Sequence, residues 1–276
     1  MLRTIKRPTD KVVMIDLDAT LIDRNYRFTS NEKIENYIAP LQSDGWRIGL
    51  CSDTPLSVLA DWQKEIGMDG PIVAEKGSLV RIDGKILVYD PRALKEFDEC
   101  FSRIERLLLS AGITLWKDGN PVAKIRSGEL IGSGGETVVL LNPLRECSLG
   151  VFIRKNDGTA LVFPDKDEFE RLLDLLKPTL DMIAMPTEND FNYKDGVIIV
   201  APKDRSKRNG AKLLIRELNA TQIGMIGDSD SDYLGDVAVH YAVGNASDSF
   251  KSKSVYIADG TYTEGVIEIL KALARA

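Results

Sequence analysis

Three short apolar runs of the sequence are each followed by small polar or acidic residues. The runs are VVMI, IGLC and GMI, and the polar residues that follow them are Asp16 and Asp18, Ser52 and Asp53, and Asp228 and Asp232. Two carboxylates about 4 Å apart repel each other by roughly 4 kcal/mol at an effective dielectric constant near 20. Gathering several of them is therefore unfavourable unless a cation joins them. Oxygen ligands without imidazoles or thiolates favour magnesium over zinc, so the pattern indicates a magnesium site.

A simpler interpretation applies to each of these residues when it is taken singly. A short polar side chain after a strand is often a helix N-cap or a turn former. His240, the single histidine, lies in the apolar segment VAVHYAV, where we expect a buried residue and not a ligand. The metal-site interpretation therefore depends on the six polar residues being brought together by the fold.

The first ninety residues predict a parallel α/β sheet. The short β-branched runs KVVMI and WRIGLC are typical of buried strands. A helix is predicted over residues 31–43, with Thr29 and Glu32 at capping-box spacing. A second helix is predicted over residues 55–66, with Thr54 as its N-cap. In open sheets of this class ligands bind at the carboxyl ends of the strands, which is where the polar residues are expected.

The middle of the chain has a different pattern. Asp83-Gly84 and Asp157-Gly158 lie between apolar stretches and predict β-hairpin turns. Apolar residues at steps of three and four predict helices over residues 94–108 and 169–176. The run GVIIVAP and a helix over residues 206–218 then indicate a return to the parallel pattern.

This order predicts a discontinuous architecture. We expect an α/β core domain formed by residues 1–88 and 196–276, with an α+β domain of residues 89–195 inserted between the two halves of the core.

Four segments of the chain resemble the signature motifs of a known superfamily. DLDATL, LCSD, DRSK and GDSDSD are similar, in order and spacing, to the four motifs of the haloacid dehalogenase superfamily. The long insert between the second and third motifs resembles that of the Cof-like sugar-phosphatase branch. The resemblance implies a Rossmann-like parallel-sheet core with an inserted α+β cap.

The resemblance also implies a division of chemical labour in the first motif. Asp16 would be the nucleophile that attacks phosphorus and forms an aspartyl-phosphate. Asp18 would act as the general acid for the leaving oxygen and then as the general base for water. Thr20 would fix the loop by hydrogen bonding.

The other motifs would bind the phosphoryl group and the metal. Ser52 and Asp53 would lie in the phosphate-binding site, with Ser52 donating to a phosphoryl oxygen, and Lys207 would neutralise the phosphoryl group and the nucleophile. Mg²⁺ would be held by the Asp16 side chain, the Asp18 backbone carbonyl and Asp228, with Asp232 completing or orienting that set.

Three positions depart from the family pattern. Ala19 stands where this branch usually has glycine, which adds a methyl group to a tight loop. Thr54 stands where an arginine is usual, so the family's substrate contacts do not carry over at this position, and Ser231 replaces a common asparagine. Lys207 has the basic neighbours Lys203, Arg205 and Arg208, and we prefer it as the site residue because it opens the predicted helix.

We therefore expect a magnesium-dependent phosphatase that acts on a small phosphorylated metabolite, such as a sugar phosphate or a phosphoglycolate-like acid. A phosphosugar mutase on the same core remains an alternative. A phospho-accepting receiver domain is disfavoured by the insert, and a catalytically silent binding protein by the presence of every candidate chemical group.

Composition limits the remaining classes. The net charge of −6 argues against a general nucleic-acid binder, although it leaves local basic clusters open. No apolar stretch reaches the roughly 18 residues of a membrane span. The cysteines Cys51, Cys100 and Cys147 lack CxxC spacing, so we expect buried, reduced thiols in a cytoplasmic protein. The sequence leaves the oligomeric state open.

Overall fold

The computed structural model describes residues 5–275, which form two compact units. The first unit contains the described residues up to Tyr89 and those from Arg205 onward, and the second is Asp90–Asp204. The candidate site residues named above all belong to the first unit.

The first unit is built on an eight-stranded sheet. Its strands, numbered along the chain, are β1 (Val12–Ile15), β2 (Arg47–Cys51), β3 (Ile72–Ala74), β4 (Leu79–Ile82), β5 (Lys85–Val88), β12 (Ile223–Gly227), β13 (Ala238–Ala242) and β14 (Tyr256–Ile257). Their order across the sheet is β14-β13-β12-β1-β2-β3-β4-β5. All neighbours from β14 to β3 are parallel, and β4 and β5 add an antiparallel edge. The carboxyl ends of β1, β2 and β12 therefore meet at one edge.

Helices connect these strands. They are α1 (Glu35–Ser43), α2 (Leu56–Glu65), α6 (Lys207–Leu218), α7 (Asp248–Lys253) and α8 (Tyr262–Arg275). Short 3-10 turns occur at Glu75–Gly77, Asp230–Asp232 and Gly235–Val237. The alternation of strand and helix predicted from the sequence is confirmed.

Two helix caps differ from the prediction. The Thr29 N–H donates to Thr263 Oγ1 over 3.0 Å, and α1 begins only at Glu35 without a side-chain cap, so the predicted capping box is wrong. Pro55, not Thr54, is the N-cap of α2. The Thr54 hydroxyl instead donates to the carboxylate of Asp18.

The core of the first unit lies where α6 packs against β3 and β4. Ala211 and Leu214 of the helix join Met14, Val73 and Met225 of the strands in one fully buried cluster. Every residue of β1 is buried, because the strand is central in a sheet covered by helices. Burying each large apolar side chain contributes about 1.5–3 kcal/mol, so this packing holds the sheet edge that carries the site.

The second unit contains a six-stranded sheet. Its strands are β6 (Thr114–Trp116), β7 (Thr137–Leu141), β8 (Leu149–Asn156), β9 (Leu161–Val162), β10 (Thr187–Asn192) and β11 (Val197–Pro202). Their order is β10-β11-β8-β7-β6, with β9 paired to β8. The helices of this unit are α3 (Arg92–Ser110), α4 (Pro121–Ser127) and α5 (Lys166–Leu180). The predicted hairpins at Asp83-Gly84 and Asp157-Gly158 are present, between β4 and β5 and between β8 and β9.

One strand lies in a different sheet from the one expected. The sequence analysis assigned GVIIVAP to the parallel core, but β11 pairs antiparallel with β8 and β10 in the second sheet. A strand paired on both sides is as apolar as a central parallel strand, so composition alone does not separate the two cases. The second unit therefore ends at Asp204, whereas the expected insert ended at residue 195, and the roles of the two units as core and cap remain a prediction.

The cysteines and the helices bear on two general features of the chain. All three cysteines are free and buried, as predicted. Among residues 5–275, none of the helices combines the length and the apolar character that a membrane crossing requires.

Candidate active site

Three carboxylates from distant parts of the chain converge at the carboxyl edge of the eight-stranded sheet. Asp16 follows β1, whereas Asp228 and Asp232 follow β12, and one oxygen from each lies within 4.8 Å of the others. The convergence has a direct cause, because β1 and β12 are paired neighbours and Ile15 is in register with Ile226. The sequence-based expectation that these side chains lie together is thus met by the geometry.

Lys207 connects two of the three carboxylates. Its Nζ donates to Asp16 Oδ1 over 2.5 Å and to Asp232 Oδ1 over 2.6 Å. Ser206 caps α6 by accepting from the Asn209 N–H, which places Lys207 in the first turn. Burial alone would lower the pKa of the Lys207 ammonium, but the carboxylates of Asp16 and Asp232 raise it well above its usual value. Lys207 therefore stays charged in the site.

Asp232 is held on both of its oxygens. Besides the Lys207 contact of Oδ1, its Oδ2 accepts from the backbone N–H groups of Asp228 at 3.0 Å and Ser229 at 3.1 Å. A Cβ at Gly227 would lie 2.4 Å from Asp232 Oδ2, so only glycine allows this approach. With its oxygens so occupied, Asp232 is placed to orient Lys207 and the Asp228 loop.

The Thr20 hydroxyl lies between the carboxylates of Asp16 and Asp228. Its Oγ1 is 3.2 Å from Asp16 Oδ2 and 3.2 Å from Asp228 Oδ1. A hydroxyl has a single proton, so it satisfies only one carboxylate at a time. Burial raises the pKa values of Asp16 and Asp228, and for Asp228 the nearby charge of Asp232 adds to this effect. This all-oxygen set fits a hard divalent cation, which would relieve the repulsion between the charged forms.

Asp18 faces a second loop. Its Oδ2 accepts from Thr54 Oγ1 over 3.2 Å and lies 3.5 Å from Ser52 Oγ, at the end of β2. Desolvation raises the pKa of the Asp18 carboxyl, while the hydrogen bond from Thr54 opposes that shift. Asp18 lies outside the three-carboxylate cluster, so the structure separates it from the side chains that could hold a cation.

Asp53 belongs to the same loop but points to a different partner. Its Oδ1 accepts from Arg205 Nη1 over 2.7 Å, and the Arg205 side chain is 5% exposed. An ionised carboxylate only accepts hydrogen bonds. The group of Asp53 that could face an anion is therefore its backbone N–H. Arg208 pairs with Asp236. Of these adjacent basic residues, Lys207 is the one that enters the acidic cluster.

A cleft of about 340 Å³ opens onto these groups. It is lined by Asp16, Asp18, Ser52, Asp53, Lys76, Lys207, Asp228, Ser229 and Ser231. Sequence reasoning missed three residues of this region. Thr54 was interpreted as a cap, Gly227 carries no side-chain signal, and Lys76 lies in a turn that no motif marked.

His240 lies behind the site in a buried position. Its Nε2 accepts from the Leu234 N–H over 2.9 Å. Burial lowers the pKa of the His240 imidazole to about 4, so the ring is neutral near pH 7. This hydrogen bond gives the histidine a structural role.

Residues 13–270 match the family model described as haloacid dehalogenase-like hydrolase. A phosphoglycolate phosphatase of Sulfolobus acidocaldarius is 22% identical over 265 residues, which cover 95% of each chain.

Solved structures with a similar fold cover nearly the whole chain. A haloacid dehalogenase-like hydrolase from Bacteroides thetaiotaomicron has a TM-score of 0.65 at 15% identity and covers 95% of this chain and 98% of its own. A protein of Thermoplasma acidophilum has a TM-score of 0.59 at 19% identity, covering 96% of this chain and 98% of its own. At these identities the likeness concerns the fold.

Proposed function

The chain belongs to the haloacid dehalogenase-like hydrolase family and is a phosphoric monoester hydrolase, and we propose that it uses magnesium to hydrolyse a small phosphorylated metabolite through an aspartyl-phosphate. The observation that carries this proposal is the buried Lys207 ammonium shared by Asp16 and Asp232, beside Asp228. This arrangement supplies a nucleophile, a fixed positive charge and oxygen ligands at one point.

In the first step, Asp16 is the nucleophile. One carboxylate oxygen of Asp16 forms a bond to phosphorus as the bond from phosphorus to the leaving oxygen breaks. Lys207 holds Asp16 in its attacking orientation and favours the ionised form, against the burial that raises the pKa of this carboxyl. Lys207 thus opposes the effect of burial on the nucleophile.

Asp18 is the proton carrier. Because desolvation raises the pKa of Asp18, this carboxyl can hold a proton and give it to the departing alkoxide. In the second step Asp18 takes a proton from water as that water attacks phosphorus and the bond to Asp16 breaks. The products are the alcohol and inorganic phosphate, and both aspartates return to their starting state.

The charge of the cleft explains why a cation is needed. Four carboxylates and two ammonium groups line it, so its lining carries a net charge of −2 with all six ionised. A phosphoric monoester is itself an anion and would be repelled. Mg²⁺ held by Asp16, Asp228 and the Asp18 backbone carbonyl, with Asp232 as orienting residue, would neutralise this charge and stabilise the phosphoryl oxygens.

Ser52 and Thr20 complete the proposed assignment. Ser52 directly follows β2 and is 1% exposed. Its hydroxyl would donate to a phosphoryl oxygen of the substrate. Thr20 orients Asp16 and Asp228 through its hydroxyl. Asp53 supports this loop through its pair with Arg205 and offers its backbone N–H to the phosphate.

The substrate class and setting extend the proposal. The curated relative is a phosphoglycolate phosphatase, which supports a small phosphorylated acid or sugar as the substrate. We also propose that the unit Asp90–Asp204 acts as a cap that selects the substrate, and that the protein works in the cytoplasm. The free, buried cysteines support the cytoplasmic setting, because disulfides are rare there.

The test is phosphate release by the purified full-length chain. A panel of phosphorylated metabolites is incubated with Mg²⁺, with a chelator, and with Mg²⁺ restored. We expect release of inorganic phosphate that disappears on chelation and returns with Mg²⁺. Asp16→Asn should lower turnover about 10⁴-fold or more, as loss of a covalent nucleophile does, while circular dichroism stays native.

A matched control and two contrary outcomes complete this test. Asp230→Asn removes an exposed carboxylate that pairs with Lys253, and it should retain activity. Undiminished turnover by Asp16→Asn would exclude Asp16 as the nucleophile. Conversion of a sugar bisphosphate to an isomer, without phosphate release, would identify a mutase instead.

A further inference from the structure

The turn Glu75–Gly77, which follows β3, has an unusual backbone. Glu75 has φ 46° and Lys76 has φ 56°, both in the left-handed region, and Gly77 follows with φ 97°. Each non-glycine residue in that region costs about 1–2 kcal/mol. Surrounding contacts must therefore hold this turn in place.

Those contacts come from the loops that carry the active site. The Lys76 N–H donates to the Ser52 carbonyl over 3.0 Å, and the Glu75 N–H donates to the Thr54 carbonyl over 3.2 Å. Gly77 packs directly on the start of α6, since a Cβ there would lie 2.0 Å from the Ser206 carbonyl oxygen. The turn is thus fixed against both the β2 loop and the residue before Lys207.

Lys76 brings a positive charge into the cleft. Its side chain lines the cleft and is partly exposed. Lys207 is neutralised by Asp16 and Asp232, and Arg205 pairs with Asp53. Within residues 5–275, by contrast, the Lys76 ammonium has neither an ion pair nor a hydrogen bond. It is available to an anionic ligand.

The position of Lys76 points to the leaving group. Its backbone is bonded to Ser52, and the hydroxyls of Ser52 and Thr54 contact Asp18, the proposed proton donor to the leaving oxygen. Lys76 is therefore anchored beside the Asp18 loop, whereas Lys207 is bound to the nucleophile Asp16. Both lysines line the cleft, and they reach it from different elements, the turn after β3 and the start of α6.

We propose that Lys76 forms a subsite for an anionic group on the leaving alcohol, so that the preferred substrates are phosphomonoesters with a second negative charge. The proposal rests on the proposed phosphatase function. A carboxylate and a second phosphate share the required chemistry, and the two are distinguished by the probes below. A flexible lysine stem suits both, because its ammonium acts as a point charge.

The experiment compares substrates that differ only in the leaving group. The probes are 2-phosphoglycolate, with a carboxylate, ethylene glycol bisphosphate, with a second phosphate, and 2-hydroxyethyl phosphate, which is neutral at the same position. kcat and KM are measured with Mg²⁺ for the native chain, Lys76→Met, Lys76→Arg and the exposed control Lys64→Met. Glycolate and inorganic phosphate are tested as inhibitors.

The expected result is a change in preference. The ratio of kcat/KM for a charged probe to that for 2-hydroxyethyl phosphate should fall about tenfold in Lys76→Met, mainly through KM, as for loss of a charge-assisted contact. Lys76→Arg should restore part of the ratio, and Lys64→Met should leave it unchanged. Inhibition by glycolate should weaken in Lys76→Met more than inhibition by phosphate. The charged probe with the larger change identifies the group that Lys76 binds.

Several results would overturn the subsite. An unchanged ratio would make Lys76 a solvated lysine, and an equal loss for all three probes would place it on the transferred phosphoryl group or in a structural role. If the native chain hydrolyses these probes and the kcat/KM ratio is unaltered in Lys76→Met, the subsite alone is rejected. A native chain that releases phosphate from no monoester rejects the proposed function, and the subsite with it.

Discussion

Lys207 Nζ and Asp16 Oδ1 lie 2.5 Å apart, although the two residues are separated by 191 positions in the chain. Both side chains are almost fully buried, at 5% and 6% exposure. A buried ion pair contributes little net stability when it is intact, but removal of one partner leaves an uncompensated charge. This pair therefore joins the chemistry of the site to the stability of the first unit.

Lys207→Met should consequently damage both properties. We expect the free energy of unfolding to fall by about 3–5 kcal/mol, because Asp16 and Asp232 lose their common partner. Phosphate release should fall with it. The measurements are urea unfolding and kcat, with Arg208→Met as the control, since that exposed neighbour pairs with Asp236 outside the acidic cluster. Equal stability and activity in the two variants would contradict the role given to Lys207.

Thr54→Val should lower kcat about 10- to 150-fold, which corresponds to the roughly 1.5–3 kcal/mol of a hydrogen bond to a charged group. The reason is the loss of the Thr54 hydroxyl that orients Asp18 Oδ2 over 3.2 Å. Thr54→Ser keeps a hydroxyl and should retain most of the activity. Steady-state kinetics on a single monoester compare the two. A Thr54→Ser enzyme as impaired as Thr54→Val would indicate a packing effect instead.

Mg²⁺ should raise the thermal midpoint of the native chain. Ligand that binds only the folded state adds about 2.7 kcal/mol at a free concentration one hundred times its Kd. In Asp228→Asn this response should weaken strongly, because a ligand oxygen loses its charge, whereas Asp230→Asn should respond like the native chain. Thermal unfolding with and without Mg²⁺ is the measurement. An intact response in Asp228→Asn would place the cation elsewhere.

His240 should make the fold sensitive to acid. Its pKa is lowered from 6.5 to about 4 in the folded state, so the unfolded chain binds a proton at a higher pH than the folded chain. The stabilising contribution is fully present above about pH 6.5 and is lost as the pH falls through about 4, with an upper limit near 3 kcal/mol.

His240→Gln, which keeps an acceptor for the Leu234 N–H but does not titrate in this range, should show a flatter decline over the same window. Urea unfolding at pH 7, 6, 5 and 4 gives the comparison. Because the chain has one histidine, the difference between the two pH profiles isolates this residue. Parallel profiles would exclude the imidazole as the source of acid sensitivity.

Ala19→Gly should stabilise the protein. Ala19 has φ 60°, and its carbonyl accepts from Asn245 Nδ2 over 2.7 Å, so the loop is held in a conformation that suits glycine. Relief of this strain should add about 0.5–1 kcal/mol to the free energy of unfolding. Ala60→Gly, inside α2, should instead cost about 1 kcal/mol. If Ala19→Gly also lowers the free energy of unfolding, backbone entropy outweighs strain at position 19.

The parts of the fold that could be predicted from sequence are those with a local cause. The strand β1 and the helix α6 follow from a continuous apolar run and from a serine cap with apolar periodicity. The convergence of Asp16 and Asp228 could be expected because parallel strands end at one edge of the sheet.

The errors arose where a distant partner decides the outcome. Thr29 has capping-box spacing, yet its N–H is taken by Thr263 from α8. Thr54 precedes a helix, but its hydroxyl is bound to Asp18. The neighbours of β11 follow from the second sheet and not from its own composition. In each case a contact across the chain outweighs the local signal.

The central pairing of β1 with β12 has a consequence for biosynthesis. Val13 lies beside Gly224, so the middle of the sheet stays open until the ribosome has delivered most of the polypeptide. Translation at about 5–20 residues per second separates the emergence of these strands by many seconds. A nascent chain carries Asp16, the proposed nucleophile, from the outset, yet it acquires Lys207 and the acidic partners only near the end of its synthesis.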